Sequence, residues 1–293
     1  MRTIAHISDL HFGRIDPPVA EGLISDLKSR GPTLLVVSGD FTQRARRKQY
    51  EQAAAYLKRL PKPQLVVPGN HDVPAFNPVS RFFFPLKNYL QYITPDLLPS
   101  FLDDELFVLG VNTARSFTRT SGWISMPQMR AIRLAASRVP EGVFKVLVTH
   151  QPFIPAPRKP EADVLVGGAR SLKELESSGF DMVLAGHLHL AYHDDVRAHH
   201  KSARRSVLSI QAGTATSTRL RGEPNAYNWI SVSRDLITVV VRAWNGKEFA
   251  ESLVTRYERL DHVWRTVEQS PVSPTTAASL DARASSEANR IEH

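Results

Sequence analysis

Short apolar runs rich in Val, Ile and Leu recur along the chain, and most end in a small or polar cluster rather than continuing at helical spacing. They cover Thr3 to Ile7, Thr33 to Val37, Gln64 to Val67, Leu106 to Val111, Lys145 to Val148 and Asp181 to Leu184. Runs this short and this apolar predict strands buried on both faces. Between several of them the spacing becomes helical, over Val19 to Ser29, Lys48 to Leu60 and Pro127 to Ala136. Alternating strand and helix implies crossover units and an α/β fold with a covered sheet.

From about Val196 the pattern changes to strands without intervening helices: Ser206 to Gln211, Tyr227 to Ser233, Leu236 to Ala243 and Phe249 to Tyr257. Asn, Gly and Arg-Asp breaks separate them, which predicts a meander or a second sheet within the same domain. Asp16-Pro17-Pro18 and Pro152 to Pro160 read as surface loops. Residues 80–103, with Arg81-Phe82-Phe83-Phe84-Pro85, are too apolar for a plain loop and are expected to form a cap near the site. The domain is expected to span 1–269. From Ser270 the composition turns to Ser, Ala, Thr and Pro, so 270–293 is expected to be a disordered tail.

At 293 residues, 42% hydrophobic and 23% charged, the composition is that of a globular protein able to bury a core. With no cysteine, thiolate metal sites, disulfides and a cysteine nucleophile are excluded, and the eleven histidines become the nitrogen ligands available to a transition metal. No apolar run approaches the ~20 residues of a membrane span, and polar residues interrupt the N-terminal apolar stretch. The expectation is a soluble, cytoplasmic protein. Its formal charge of +8 suits an anionic partner.

Five segments stand where predicted strands end: Asp9-Leu10-His11, Gly39-Asp40, Gly69-Asn70-His71-Asp72, Thr149-His150 and Gly186-His187-Leu188-His189. Loops at the carboxyl ends of strands converge on one crevice in α/β sheets. The donors are all oxygen or imidazole, a set suited to Mn, Fe, Co or Zn and too rich in nitrogen for Ca or Mg. Asp9 and His11, like His187 and His189, are two apart, so in extended chain they point to the same side. Glycines 39, 69 and 186 allow sharp turns. One carboxylate, Asp40, can bridge two cations about 3.5–4 Å apart.

The ordered blocks DLH, GD, GNHD, TH and GHLH resemble the calcineurin-like metallophosphoesterase superfamily over Asp9 to His189, and HISDLHFG and SGDFTQRAR are most similar to its bacterial cyclic-nucleotide-phosphodiesterase-like branch. The resemblance implies a four-layer α/β/β/α sandwich with two mixed sheets flanked by helices. It implies two divalent ions, one held by Asp9, His11, Asp40 and His189 and the other by Asp40, Asn70, His150 and His187. His71 would contact the scissile phosphate or protonate the leaving group, and Asp72 would accept a hydrogen bond from the other ring nitrogen of His71. The chain departs from these relatives at Gln151, where many carry a second His, and at Val73-Pro74-Ala75, where many carry an Arg. Both positions bear on the substrate.

The implied activity is hydrolysis of a cyclic nucleotide or similar small phosphodiester by in-line attack of a metal-activated hydroxide. Alternatives are a nucleotide-sugar pyrophosphate of lipid synthesis or a phosphomonoester, then DNA, then an inactive scaffold. Nucleic acid is disfavoured because no long basic stripe is present, and a homo-oligomer is compatible with the sequence. Arg44 and Asn112 are candidate substrate contacts, one within the basic cluster Arg44, Arg46, Arg47, Lys48 and the other at a strand end. Arg219 and Arg221 divide between an anion-binding and a solvated role in the same way. Structural roles are expected for His6 as a hydrogen-bonded core residue, for His193, His199 and His200 outside any metal site, and for Phe82, Phe83 and Phe84 in core or cap packing.

Overall fold

The computed structural model describes residues 1–156, 164–201 and 203–272. Its first strand, β1 (Arg2–Ile7), explains why the apolar runs do not alternate with polar residues. Ile4 joins one hydrophobic cluster, while Ala5 and Ile7 join another on the opposite face. In β2 (Leu34–Val37), Leu34 and Val36 divide from Leu35 and Val37 in the same way, and both faces are buried.

With β3 (Gln64–Val66), these two strands form the parallel part of one sheet. The other sheet is built from β4 (Ser100–Leu102), β5 (Leu106–Gly110), β6 (Phe144–Val148), β7 (Met182–Ala185), β8 (Tyr192–Asp195) and β9 (Leu208–Gln211) in the order β4-β5-β6-β7-β9-β8. Its inner strands run parallel, and β4 and β8 pair antiparallel at the edges. The chain then returns to the first sheet through an antiparallel meander: β10 (Ala226–Val232), β11 (Leu236–Trp244), β12 (Phe249–Leu260) and β13 (Val263–Pro271). That sheet reads β13-β12-β11-β10-β1-β2-β3. The late strands therefore split, β9 lying beside β7 and the meander extending from β1.

The sheets pack face to face over Ile4, Leu34 and Val36 on one side and Val108, Val146 and Leu184 on the other. Helices α1 (Pro17–Arg30) and α2 (Arg47–Leu57) cover the outer face of the first sheet through Leu23, Leu27, Tyr50 and Tyr56. Beyond α2 come two short helices, α3 (Pro78–Phe83) and α4 (Lys87–Tyr92). Helices α5 (Met126–Ser137) and α6 (Gly168–Ser177) cover the second sheet through Ile132, Leu172 and Leu175. The result is the expected α/β/β/α sandwich. Each fully buried aliphatic side chain contributes about 1.5–3 kcal/mol to holding it together.

Several expectations need correction. Pro17 and Pro18 open α1 rather than forming a loop, because proline is preorganised for a first helical turn that needs no N–H partner. Helix α6 was not legible in the sequence, since only Leu172 and Leu175 give its buried face an apolar mark. Strand β13 runs past the expected boundary at 269, stabilised by pairing with the long β12 although Trp264 is its one buried side chain. Within the region expected to be a cap, α3 buries none of its residues and Phe82, Phe83 and Phe84 are exposed, which excludes core packing for them. Residues 157–160 of the proline-rich stretch, with 161–163 after it, and 273–293 of the expected tail lie outside the described residues. Among the described residues no helix is long and apolar enough to cross a membrane.

Candidate metal centre

The loops leaving β1, β2, β3, β6 and β7 meet where the two sheets come together, and all seven candidate ligands follow the carboxyl ends of these strands. Backbone bonds lock the loops side by side: the Asp9 amide donates to the Gly39 carbonyl at 3.1 Å, and the His11 amide to the Asp40 carbonyl at 2.9 Å. The segments are not extended. Asp9, His11, Asp40, His187 and His189 all have positive φ, between 50° and 74°. Left-handed backbone at a residue other than glycine is sparsely populated and costs on the order of 1–3 kcal/mol per position, and such strain gathers at functional sites. Tight left-handed turns, rather than strand alternation, aim these side chains inward.

Two groups of donors result. In the first, the Nε2 atoms of His11 and His189 each lie 3.4 Å from Asp9 Oδ1, and His11 Nε2 lies 3.7 Å from Asp40 Oδ2. In the second, His150 Nε2 lies 3.4 Å from Asp40 Oδ1 and 3.0 Å from Asn70 Oδ1, and His187 Nδ1 lies 3.0 Å from the same Asn70 oxygen. Asp40 stands between the groups. Outer contacts orient the rings: His150 Nδ1 donates to the Ser38 carbonyl at 2.7 Å, and His189 Nδ1 meets the Thr214 hydroxyl, so each turns Nε2 toward the carboxylates.

Whether a cation fits can be judged from buried atoms with no partner. Asp9 Oδ1 and both ring nitrogens of His11 are buried without a hydrogen bond. An unmet buried polar atom costs about 1–3 kcal/mol, which a coordinated cation would remove. Charge leads to the same conclusion. Burial opposes ionisation of Asp9, yet His189, His11 and His150 hold its carboxyl well below the ordinary range. Burial likewise opposes the charge of Asp40, and His150, His71 and His11 hold it low. Burial works against a charged His150 too, but Asp40 and Asp9 push it up to about 9. The pocket keeps its carboxylates anionic and draws positive charge toward them, as a dication site of mixed nitrogen and oxygen donors would. The residues fit cation binding: Asp9, His11 and His189 bring their donor atoms together as one group, and Asp9, Asp40 and His150 as another.

Gly39 has φ +102°, so it does provide a sharp turn. Gly69 and Gly186 serve close approach instead: a Cβ on Gly69 would lie 2.1 Å from Asp40 Oδ1, and one on Gly186 would lie 1.9 Å from Ser8 Oγ.

His71 and Asp72 have different partners from those expected. His71 Nδ1 meets the Gln43 carbonyl at 2.9 Å, so a carbonyl, not Asp72, orients the ring. Asp72 is buried and accepts from the amides of Gly69, Phe41 and Thr42 at 2.9–3.2 Å and from the Thr42 hydroxyl at 3.1 Å. It staples the loop carrying Asp40 to the turn carrying Asn70, and burial together with the nearby Asp40 pushes it up to about 7. The geometry therefore assigns Asp72 to loop positioning.

His71 Nε2 faces Arg219 Nη1 at 3.1 Å. Arg219, half-buried, touches the cluster through His71, with Arg221 close enough to act on His189, whereas Arg44 is exposed and stacks over Phe76 at 5.4 Å. The separation of 148 residues from His71 hid Arg219 in the sequence, where its single signal was a basic turn after Gly213. Asn112 is buried but directs Oδ1 to the Ala114 amide at 2.9 Å, shaping its own turn.

Gln151 is buried as well. It accepts from the Thr113 hydroxyl at 2.6 Å and donates to the Thr120 carbonyl at 2.8 Å, tying the 113–122 loop to the strand end that carries His150. Val73 packs in the core of the first sheet. His6 is a core residue bonded to Ser38 Oγ at 2.9 Å. His193 bonds to the Tyr257 hydroxyl, His199 to Asp194 and His200 to the Phe153 carbonyl, outside the two groups of donors.

Comparison with known proteins completes the description. The family model for calcineurin-like phosphoesterases matches residues 2–191. A protein of Synechococcus named as a probable cyclic nucleotide phosphodiesterase is 33% identical over 81 residues, covering 25% of this chain and 32% of that protein. The glycerophosphodiester phosphodiesterase GpdQ of Enterobacter lignolyticus is 38% identical over 80 residues, covering 24% and 29%. These alignments span about a third of the curated relatives. Among solved structures, purple acid phosphatase PPD1 from yellow lupin aligns with TM-score 0.64 at 9% identity, over 91% of this chain and 54% of that one. A dimetal phosphatase from Danio rerio aligns with TM-score 0.61 at 14% identity, over 85% and 98%. At these identities the structural likeness concerns the fold.

Proposed function

The chain belongs to the calcineurin-like phosphoesterase family, and from that premise we propose that it is a binuclear metal-dependent phosphodiesterase acting on a small anionic diester. The observation that carries this reading is the pair of buried donor groups, Asp9-His11-His189 and Asp9-Asp40-His150, with Asp40 facing His11 as well as His150 and unpaired atoms on Asp9 and His11. Asp9, His11, Asp40 and His189 would hold one ion, and Asp40, Asn70, His150 and His187 the other. Mn, Fe, Co and Zn all suit these donors. When bound, two such ions neutralise phosphate oxygens and acidify a water. A diester rather than a monoester is favoured by the names of both curated relatives.

The chain's own groups divide the remaining work. The Gln43 backbone carbonyl accepts a hydrogen bond from His71 Nδ1–H, leaving Nε2 to face Arg219. Burial lowers the proton affinity of His71, and the guanidinium lowers it further. An anionic phosphate oxygen entering between them would draw the guanidinium to itself and favour a proton on Nε2. His71 could then protonate the departing alkoxide, a role typically worth 10²- to 10⁴-fold in rate. Asp72 keeps the two loops in register, and no covalent intermediate is required.

The test is hydrolysis of an aryl phosphodiester by protein reconstituted with manganese, alongside a panel of 3′,5′ and 2′,3′ cyclic nucleotides and a glycerophosphodiester. Asn70→Ala and His150→Ala should abolish turnover and reduce bound metal. Full activity in both variants would refute the assignment.

A further inference from the structure

Next to the candidate metal centre lies a surface that the catalytic reading does not use. Phe76, Val79, Phe82, Phe83, Phe84 and Phe117 are all exposed, Phe83 by 73% and Phe117 by 79%. They come from α3, its flanks and the 113–122 loop, joined by the contact of the Phe82 and Phe117 rings at 5.8 Å. Phe83, Phe84 and Phe117 border a largely apolar groove of about 780 Å³ that Val73, Leu86, Leu90 and Leu97 also line. Contiguous apolar exposure of this kind marks an interaction site.

The charge of the same surface is one-sided. Residues 41–50, 73–95 and 111–128, from which the lining of the groove largely comes, contain eight Lys and Arg and no Asp or Glu; of the acids that bound them, Glu51 pairs with Arg47, Asp72 is buried and Asp96 is exposed. Arg44, Arg46 and Lys87 line the adjoining pocket around Phe76 and Phe84. Arg81 is spent internally, donating to the carbonyls of Pro74, Ser116 and Thr118, and so fastens α3 to the 113–122 loop. That loop is tied in turn to the candidate centre, because Asn70 Nδ2 donates to the Arg119 carbonyl at 3.1 Å. The apolar tips are thus held as one body with the site.

We propose that this face docks on an anionic lipid surface, the phenylalanines entering the acyl boundary and the surrounding cations meeting the headgroups. Interfacial binding needs this combination of apolar insertion and basic rim. A second copy of the chain is a poorer occupant, since a twofold contact would set one predominantly cationic face against another. Nucleic acid would match the charge and could stack on the rings. It would leave the aliphatic groove lining of Val73, Leu86, Leu90 and Leu97 unmatched.

The experiment is co-sedimentation of the full chain, without added metal, with vesicles of phosphatidylcholine alone or mixed equally with phosphatidylglycerol. Binding is expected to the mixed vesicles, to weaken as salt is raised, and to fall roughly tenfold or more in Phe76→Ser/Phe83→Ser/Phe117→Ser. Leu134→Ser, an exposed apolar residue on α5, serves as the control and should bind as the parent does. Every replaced side chain is exposed, so thermal melts should match. The proposal is overturned by absence of binding to mixed vesicles, by equal binding of the triple variant, by a dimer in sedimentation that the triple variant abolishes, or by single-stranded DNA that displaces the vesicles. Because no turnover is read, the result is independent of the catalytic assignment.

Discussion

Replacing Gly69 by alanine isolates the consequence of the close approach between two loops. Gly69 has φ −104° and ψ −179°, ordinary extended backbone that alanine adopts without strain. Its new Cβ, however, would stand 2.1 Å from Asp40 Oδ1 and 2.4 Å from the Asp40 amide nitrogen. The second of these is a backbone atom and cannot swing aside. Restoring van der Waals contact requires the loops to part by about 1 Å. Overpacking of this size costs about 1–3 kcal/mol, partly offset by about 0.4–1 kcal/mol from the stiffer unfolded chain. The net expectation is a loss of roughly 1–2 kcal/mol in urea denaturation.

The catalytic effect should be larger, because the displaced residue is the carboxylate that faces His11 on one side and His150 on the other. A misplacement near 1 Å typically costs about 10²-fold in rate, so manganese-dependent diester hydrolysis should fall by about that factor. Gly213→Ala supplies the control: its Cβ would meet its nearest neighbour, Ala226 Cβ, at 3.6 Å, an ordinary contact. It should be neutral or slightly stabilising. If Gly69→Ala matches Gly213→Ala in both denaturation midpoint and activity, the claim that loop proximity sets Asp40 is wrong.

Other outcomes follow from the same geometry. Asp72→Ala leaves three buried amides and a hydroxyl without their acceptor and should cost at least about 3 kcal/mol by urea unfolding, whereas Asp72→Asn keeps one acceptor and should cost less. Manganese at about 100 times its dissociation constant should raise the unfolding free energy by about 2.7 kcal/mol, and an Asp40→Ala variant showing the same increment would contradict a shared ligand. Arg219→Ala should raise KM for the diester about tenfold through loss of a charge-assisted contact, while an unchanged KM would remove Arg219 from the substrate site. Burial lowers His6 from 6.5 to about 3, so the unfolded chain takes up this proton first as pH falls. Stability present above pH 6.5 should decline toward pH 3, with His6 contributing about 1.4 kcal/mol per pH unit, and His6→Gln should have the shallower slope in denaturation series across that range.

The amino-acid pattern by itself determined the two-sided burial of the inner strands, the succession β1, α1, β2, α2, β3, β5, α5, β6 and β7 without the elements α3, α4, β4 and α6 that interrupt it, and the seven donors at strand ends. Doubly apolar runs have few stable placements other than a covered sheet, and local spacing suffices to mark where each run stops. What tertiary structure alone decided is how the ends meet. Left-handed turns at Asp9, His11, Asp40, His187 and His189 replace the extended geometry that their two-residue spacing suggested, because such turns persist only when the surrounding loops hold them. Asp72 became a staple once the Phe41 and Thr42 amides came within its reach. Arg219 reached His71 across 148 residues of chain, while the nearby Arg44 turned outward onto Phe76. The apolar segment 80–103 could be read as unusual, yet whether Phe82, Phe83 and Phe84 face a core or solvent depends on a partner surface that no local pattern encodes. Proximity between distant residues is settled by packing, and composition carries no record of it.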